Sequence, residues 1–178
     1  MTYHGTTILA VIRDGKLAFG GDGQVTLGDQ IAKARAQEIR RHGSHPIIGG
    51  FAGATADAFT LFERFENKLD SMSGNMTRAA VELARDWRMD KALRQLQAML
   101  LVGNSEKILV LSGQGDVLEP DEPVAAIGSG GPAALAAAKA MLRHTDLSAA
   151  EIVKNALIIA SEQCIYTNDK IIVEVMPS

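Results

Sequence analysis

The chain has one cysteine in 178 residues, Cys164, so no intramolecular disulfide is available and a reducing compartment is expected. Aromatic residues make up only 4% of the sequence, with a single tryptophan, so aliphatic side chains and alanine must supply most of the core. No apolar run approaches the roughly 18–20 residues that span a bilayer. The N-terminus lacks the basic and apolar regions of a signal peptide, and a cytoplasmic protein with no membrane role is expected. Neither sign of charge dominates: 18 Lys and Arg stand against 21 Asp and Glu, for a net charge of −3. The cations are dispersed among acids, which speaks against a nucleic-acid binder. There is no low-complexity tract, no short-period repeat and no Gly-x-x-x-x-Gly-Lys loop, so nucleotide chemistry is not expected of this chain. The histidines at 4, 42, 45 and 144 show no metal-ligand spacing of consequence and read as surface residues. Cys164 reads as a buried structural thiol.

What is present is an ordinary globular composition, 47% hydrophobic and 22% charged, enough for one domain with a sizeable core. Thr7 to Ile12 reads as a strand, Arg13-Asp14-Gly15-Lys16 as a tight turn and Leu17 to Gly21 as the returning strand, since Asp-Gly between β-rich runs is a strong hairpin signal. That antiparallel return brings Asp22 close to Thr6. Residues 29–42 fit no clean period and read as extended. Pro46 to Gly53 reads as a buried strand entering a glycine-rich turn. Thr55 is placed as the N-cap of a helix in which Phe59, Phe62, Phe65 and Leu69 recur at helical spacing. A second helix is expected from Asn75, with Met76, Ala80, Leu83, Ala84 and Trp87 on one stripe, continuing through Leu93 and Leu96.

Short apolar runs at 98–102, 108–111, 117–119 and 124–127 are separated by Gly, Asn, Asp and Pro, the punctuation of a meander. Gly128-Ser129-Gly130-Gly131 turns into an alanine-rich helix with Pro132 near its first position, running through Leu142. Ser148-Ala149-Ala150-Glu151 is a capping box that opens a helix to about Gln163, and Ile171 to Val175 closes as a strand. The order is strands, two helices, strands, two helices, strand. The fold class expected is therefore α/β in the α+β sense, a four-layer α/β/β/α sandwich with mostly antiparallel sheets.

Several blocks resemble one family as they stand: Thr6-Thr7-Ile8, Gly21-Asp22-Gly23-Gln24-Val25-Thr26-Leu27-Gly28, and Gly50-Phe51-Ala52-Gly53 running into Thr55 to Glu63. Asp86-Trp87-Arg88, Ile127-Gly128-Ser129-Gly130-Gly131 and Cys164-Ile165-Tyr166-Thr167-Asn168 belong with them. On these residues the chain resembles the proteasome-like N-terminal-nucleophile hydrolases, most closely the bacterial ATP-dependent HslV (ClpQ) branch. The resemblance implies a threonine peptidase domain over 6–178, residues 1–5 being a propeptide. It also implies a double ring of two hexamers and an HslU-type AAA+ ATPase hexamer that feeds in unfolded protein substrates. Thr6 matches the nucleophile, whose own α-amine serves as base once the chain is cut before it. Asp22 matches the acid that orients the site, Ser129 the serine that helps hold the amine and hydroxyl, and Gly53 the turn that supplies an oxyanion donor. A sodium ion held by backbone carbonyls is implied at Ser161, Cys164 and Thr167, where Ser161 replaces the usual glycine.

The departure that matters is at a catalytic position. The family's catalytic lysine falls at Glu38, in the run Gln37-Glu38-Ile39-Arg40-Arg41, so a positive charge that would depress the pKa values of amine and hydroxyl is replaced by a negative one. Strongly reduced or absent peptidase activity is expected. Lys33 is five residues upstream, an odd offset that on a strand points to the other face. Three functions follow in order: a threonine peptidase, a catalytically weak or inactive ring subunit with a structural or regulatory role, and a small-molecule amidase on the same fold. The Gly128 to Ala133 stretch also fits Gly-x-Gly-x-x-Ala, but no strand follows that ends in an acid at the distance a dinucleotide site needs.

Overall fold

The computed structural model describes residues 3–27, 30–53, 55–95 and 98–176. In chain order the elements are β1 (Tyr3–Gly5), β2 (Thr7–Arg13), β3 (Lys16–Gly21), β4 (Val25–Leu27), β5 (Gln30–Lys33), β6 (Ile39–Arg41) and β7 (Ile48–Gly53). Helices α1 (Thr55–Ser71) and α2 (Met76–Met89) follow, then β8 (Ala98–Gly103), β9 (Ile108–Ser112), β10 (Val117–Leu118) and β11 (Val124–Gly128). Helices α3 (Gly131–His144) and α4 (Ala149–Gln163) lead to β12 (Ile172–Met176).

Two antiparallel sheets form the middle of the molecule, one ordered β11-β2-β3-β12 and the other β10-β9-β8-β7-β6. Strand β2 is apolar from Ile8 to Ile12 because both of its faces are covered there. Alternation at period two sends Ile8, Ala10 and Ile12 into the space between the sheets, with Phe19, Ile48 and Leu101. The same alternation sends Leu9 and Val11 to the opposite side, against Ile152, Val153 and Leu157 of α4. Helices α1 and α2 cover the other sheet through Phe62, Phe65, Leu69, Leu83 and Trp87, packed on Leu100, Val102, Leu109 and Leu111. The result is the four-layer α/β/β/α sandwich read from the sequence.

The β2–β3 hairpin closes at Asp14 and Gly15, both at positive φ (53° and 71°), as the twist of a two-residue turn requires. The capping box of α4 is present, with the Ser148 hydroxyl accepting from the Glu151 amide and the Glu151 carboxylate accepting from the Ser148 amide. Two expectations need correction. Helix α2 ends at Met89 instead of running through Leu93, because the Asp90 carboxylate accepts the Ala92 and Leu93 amides (2.8 and 3.3 Å) and turns the chain. A short 3-10 turn, Leu93–Gln95, follows, and Leu96 lies outside the described residues. The 29–42 stretch is not one extended piece: β5 joins a small sheet ordered β1-β4-β5, β6 joins the five-stranded sheet, and 34–38 between them is irregular. Thr55 opens α1 as a helical residue; its side chain lies outside the described residues.

Candidate active site

Thr6 sits where β1 ends and β2 begins, buried to 3% exposure. Its φ of +69° is in the left-handed region. A β-branched residue there costs on the order of 1–3 kcal/mol unless the surroundings hold it. They do so at three points. The Thr6 amide donates to the Gln24 carbonyl at 2.9 Å, and its carbonyl accepts from the Ser129 amide at 3.2 Å. Its hydroxyl donates to the Glu38 carboxyl group. Gly128 must lack a side chain here, since a Cβ would fall 1.7 Å from the Thr6 carbonyl oxygen.

Glu38 reaches Thr6 from the irregular segment before β6. That segment is tied to the turn after β3 by the Ala36 amide donating to the Gly23 carbonyl at 2.7 Å, and to β7 by the Phe51 amide donating to the Glu38 carbonyl at 3.2 Å. The side chain of Glu38 is buried at 4% exposure, and among the described residues its Oε2 has no hydrogen-bond partner. Burial pushes its carboxyl up to about 8; the Thr6 hydroxyl opposes this, the charge of Asp22 adds to it, and the Gly23 amide and Lys33 charge oppose it more weakly. A cavity of about 260 Å³ opens on this side, lined by Gly21, Gly23, Ala36, Glu38 and Ile39, with Arg35 and Glu174 among its charged groups.

Asp22 is fully buried and spends both oxygens on backbone: Oδ1 accepts the Thr7 amide at 2.9 Å and Oδ2 the Asn168 amide at 3.0 Å. Burial raises its carboxyl above the ordinary range against the pull of those amides. Asp22 therefore braces Thr6 through the next residue. Thr7 continues the network, its hydroxyl accepting from the Gly130 amide at 2.8 Å and lying 2.7 Å from the Thr167 hydroxyl. The Asn168 side-chain amide donates to the Ala34 carbonyl at 3.1 Å, joining the turn after α4 to the segment that carries Glu38. Thr7 and Asn168 were not singled out in the sequence; the signal available was Thr7's place beside Thr6 and Asn168's place inside a matched block.

The remaining candidates are placed as follows. Ser129 is exposed, and it is its backbone amide that meets Thr6. Gly53 is the exposed end of β7, at φ +134° and paired with Ala98, and β7 lies against β1. Ser161 is on α4, where its hydroxyl donates to the Ile158 carbonyl at 2.6 Å. Cys164 caps that helix and is half-buried, not buried; its carbonyl accepts the Thr167 amide at 3.0 Å. Lys33 is exposed at the end of β5. Strand alternation cannot be counted from it to Glu38, because the chain leaves the strand at 34–38.

Two histidines are also not the surface residues expected. The His42 side chain is only 5% exposed, and its Nε2 and that of His45 lie 3.3 and 3.5 Å from one oxygen of Asp70. The three groups converge as metal ligands do. His42 Nδ1, however, accepts the Ser44 and His45 amides at 3.1 and 3.0 Å. Its neutral ring therefore carries the proton on Nε2, toward Asp70. A metal-ligating imidazole has the reverse arrangement, donating from its second nitrogen, so the cluster reads as a turn clamp.

Paired antiparallel sheets enclosed by two helix pairs, with a buried threonine at the head of the first core strand, define a proteasome-type hydrolase fold. The proteasome-subunit family model matches residues 2–176. ATP-dependent protease subunits HslV of Petrotoga mobilis and Desulfovibrio desulfuricans are 57% and 59% identical, each over 99% of this chain and 99–100% of theirs. The crystal structure of eukaryotic HslV from Trypanosoma brucei superposes with a TM-score of 0.92 at 42% identity, over 97% of this chain and 99% of that one. The chain belongs to the HslV family of proteasome subunits. The fold extends further: Thiobacillus denitrificans BPH matches with a TM-score of 0.72 at 21% identity, covering 96% of this chain and 97% of that one.

Proposed function

We propose that this chain is the proteolytic subunit of an ATP-dependent protease, with Thr6 as nucleophile after residues 1–5 are removed and with turnover held low by Glu38. The observation that carries this reading is the junction itself: a buried threonine hydroxyl at the start of the first core strand, pinned through its amide and carbonyl, with an acid on each side. Once the bond before Thr6 is cut, its α-amine takes the hydroxyl proton as the oxygen attacks a peptide carbonyl. An acyl ester forms and water hydrolyses it. Asp22 and the Ser129 amide fix the backbone on which those two groups are mounted, and Gly53 is assigned the oxyanion donor. Selectivity then comes from entry to a chamber enclosed by two stacked hexamers, filled by an HslU-type AAA+ ATPase, in the cytoplasm. Among the described residues no helix is long and apolar enough to cross a membrane.

The carbonyls of Ser161, Cys164 and Thr167 suit a sodium ion: they are uncharged oxygen donors, as hard cations prefer. The turn that bears two of them is already fixed by the hydrogen bond from the Thr167 amide to the Cys164 carbonyl. A cation there would rigidify the turn that also carries the Asn168 amide bound to Asp22.

A second reading, a ring subunit that assembles without cleaving peptides, is favoured by one contact, the Thr6 hydroxyl on the Glu38 carboxyl. Intact mass of the purified chain and of Thr6→Ala separates the two. Loss of residues 1–5 in the wild type alone supports a working Thr6, whereas retention of Thr2 onward means that the amine was never released and favours the inert subunit.

A further inference from the structure

Among the described residues the Thr6 hydroxyl has one side-chain partner in the chain that still carries residues 1–5, and that partner is an acid whose second oxygen has no hydrogen-bond partner there. A lysine ammonium is a poor proton acceptor; a carboxylate is a good one. The peptide bond before Thr6 is also held in unfavourable backbone. Gly5 is at φ +152° and Thr6 at φ +69°, a Cβ on Gly5 would fall 2.4 Å from the Gln24 carbonyl oxygen, and β1 is clamped on β4 through Gly5 opposite Val25. The φ of Thr6 exists as a constraint only while its nitrogen is acylated, so cutting Gly5–Thr6 removes the strain.

We propose that Glu38 is the general base for self-cleavage of the Gly5–Thr6 bond, a catalytic role in processing that the same residue does not serve in later peptide hydrolysis. This rests on the reading of Thr6 as nucleophile. In the first step the Thr6 hydroxyl proton passes to the Glu38 carboxylate while Oγ1 attacks the Gly5 carbonyl carbon, closing a five-membered ring. The ring opens by breaking the bond from the Gly5 carbon to the Thr6 nitrogen, and Glu38 returns its proton to that nitrogen. The product is an ester of Gly5 on Thr6 with a free amine. Water then adds to the ester carbon, and the Thr6 oxygen leaves carrying a proton from that water. Residues 1–5 depart with a new carboxyl group, and Thr6 keeps its amine and hydroxyl. The cavity beside Glu38 has room for several waters at about 30 Å³ each.

After the cut the newly made amine lies beside a carboxylate, which holds it as the ammonium and removes the base needed for further rounds. Glu38 thus favours the first reaction of Thr6 and opposes the rest. Processing should then follow ionisation of Glu38, whose surroundings are Asp22 and the Gly23 amide from the turn after β3, Lys33 from β5, and Arg35 and Glu174 along the cavity.

The test is a time course of leader release. The full chain is made by cell-free synthesis, shifted to buffers between about pH 6 and 9 and read by intact mass. The wild type should release residues 1–5 with a rate that rises about tenfold per pH unit and levels off above about 8. Glu38→Gln, which keeps the shape but cannot take a proton, should process about 100-fold more slowly and without that pH dependence. Glu38→Asp should process more slowly than the wild type yet keep the rising profile, which a merely structural role of the carboxyl group would not produce. Circular dichroism of Glu38→Gln guards against misfolding. Release by a folded Glu38→Gln at the wild-type rate, with Thr6→Ala inert, overturns the proposal and leaves Thr6 as nucleophile. Failure of the wild type to release the leader, or equal release by Thr6→Ala, overturns the reading of Thr6 itself.

Discussion

Replacing Glu38 by lysine reverses the sign of the charge at the Thr6 hydroxyl, and the consequence for turnover can be worked out. An unperturbed α-amine titrates at about 7.7–8.0, and an adjacent charge moves such a group by about 1–3 units. With a carboxylate beside it the Thr6 amine moves up. For a shift of about two units, only about 0.5% of it is free base at pH 7.5. With an ammonium beside it the same amine moves down, and well over about 90% is free base at that pH. Glu38→Lys should therefore hydrolyse a fluorogenic peptide about 200-fold faster, with roughly 20-fold and 2,000-fold as the bounds for shifts of one and three units. Both chains are made with Thr6 as first residue by an exogenous protease, so that processing does not enter. The pH profile carries a second readout: wild-type rates should still be climbing at about pH 9–10, while those of the variant level off near pH 7. Rates within threefold of each other at pH 7.5, with Thr6 confirmed as first residue and equal assembly, would refute the electrostatic argument.

Stability should respond to the same carboxyl group. In the folded chain that carries residues 1–5, Glu38 keeps its proton to about 8, whereas the unfolded chain releases it near its ordinary value of about 4.3. Its contribution is full below the lower value and is lost as pH rises through the upper one. Thermal melts at pH 5 and 8.5 should show a fall that Glu38→Gln reduces. Thr7→Val keeps the shape of the side chain but strips partners from the Gly130 amide and the Thr167 hydroxyl. It should cost about 2–4 kcal/mol, read as a lower urea midpoint. Ser148→Ala breaks the capping box of α4 and should cost about 1 kcal/mol at unchanged m-value.

The layered fold was legible because the core strands and the helices repeat at different periods. Strand β2 is apolar from Ile8 to Ile12 and reads as a buried strand, and the phenylalanines of α1 fall on one side at helical spacing. What failed was local. Asp90 interrupts a run of Met, Lys, Leu and Arg that would continue a helix equally well, and only the bonds from its side chain to the Ala92 and Leu93 amides decide against it. The site was partly legible for a topological reason. A two-residue hairpin returns β3 to the start of β2 with Ile8 opposite Gly21, which sets Asp22 on the Thr7 amide, one residue beyond Thr6. No such counting reaches Glu38. It lies on irregular chain between two sheets, held by Gly23 and Phe51, so its place against Thr6 came from matching a family motif and not from any period in the residues.

Two features of the uncut chain are unfavourable, and they meet at one atom. Thr6 holds a left-handed backbone that its branched side chain resists. Glu38 is buried with an oxygen that finds no partner among the described residues. Neither is relieved by a rearrangement elsewhere, since Gln24, Ser129 and Gly128 fix the first and Gly23 and Phe51 the second. Both would be relieved by a single event, the proposed cleavage of Gly5–Thr6, which would free the φ of Thr6 and supply an ammonium as counter-ion to Glu38. A lysine at position 38 would place two cationic groups together after the same cut, an arrangement that keeps the amine basic form available but does nothing to settle the processed state. On the proposed reading, the glutamate would shift stabilisation from the working enzyme to the product of its own processing. On that account the cleaved form should be both more stable and slower than its lysine counterpart.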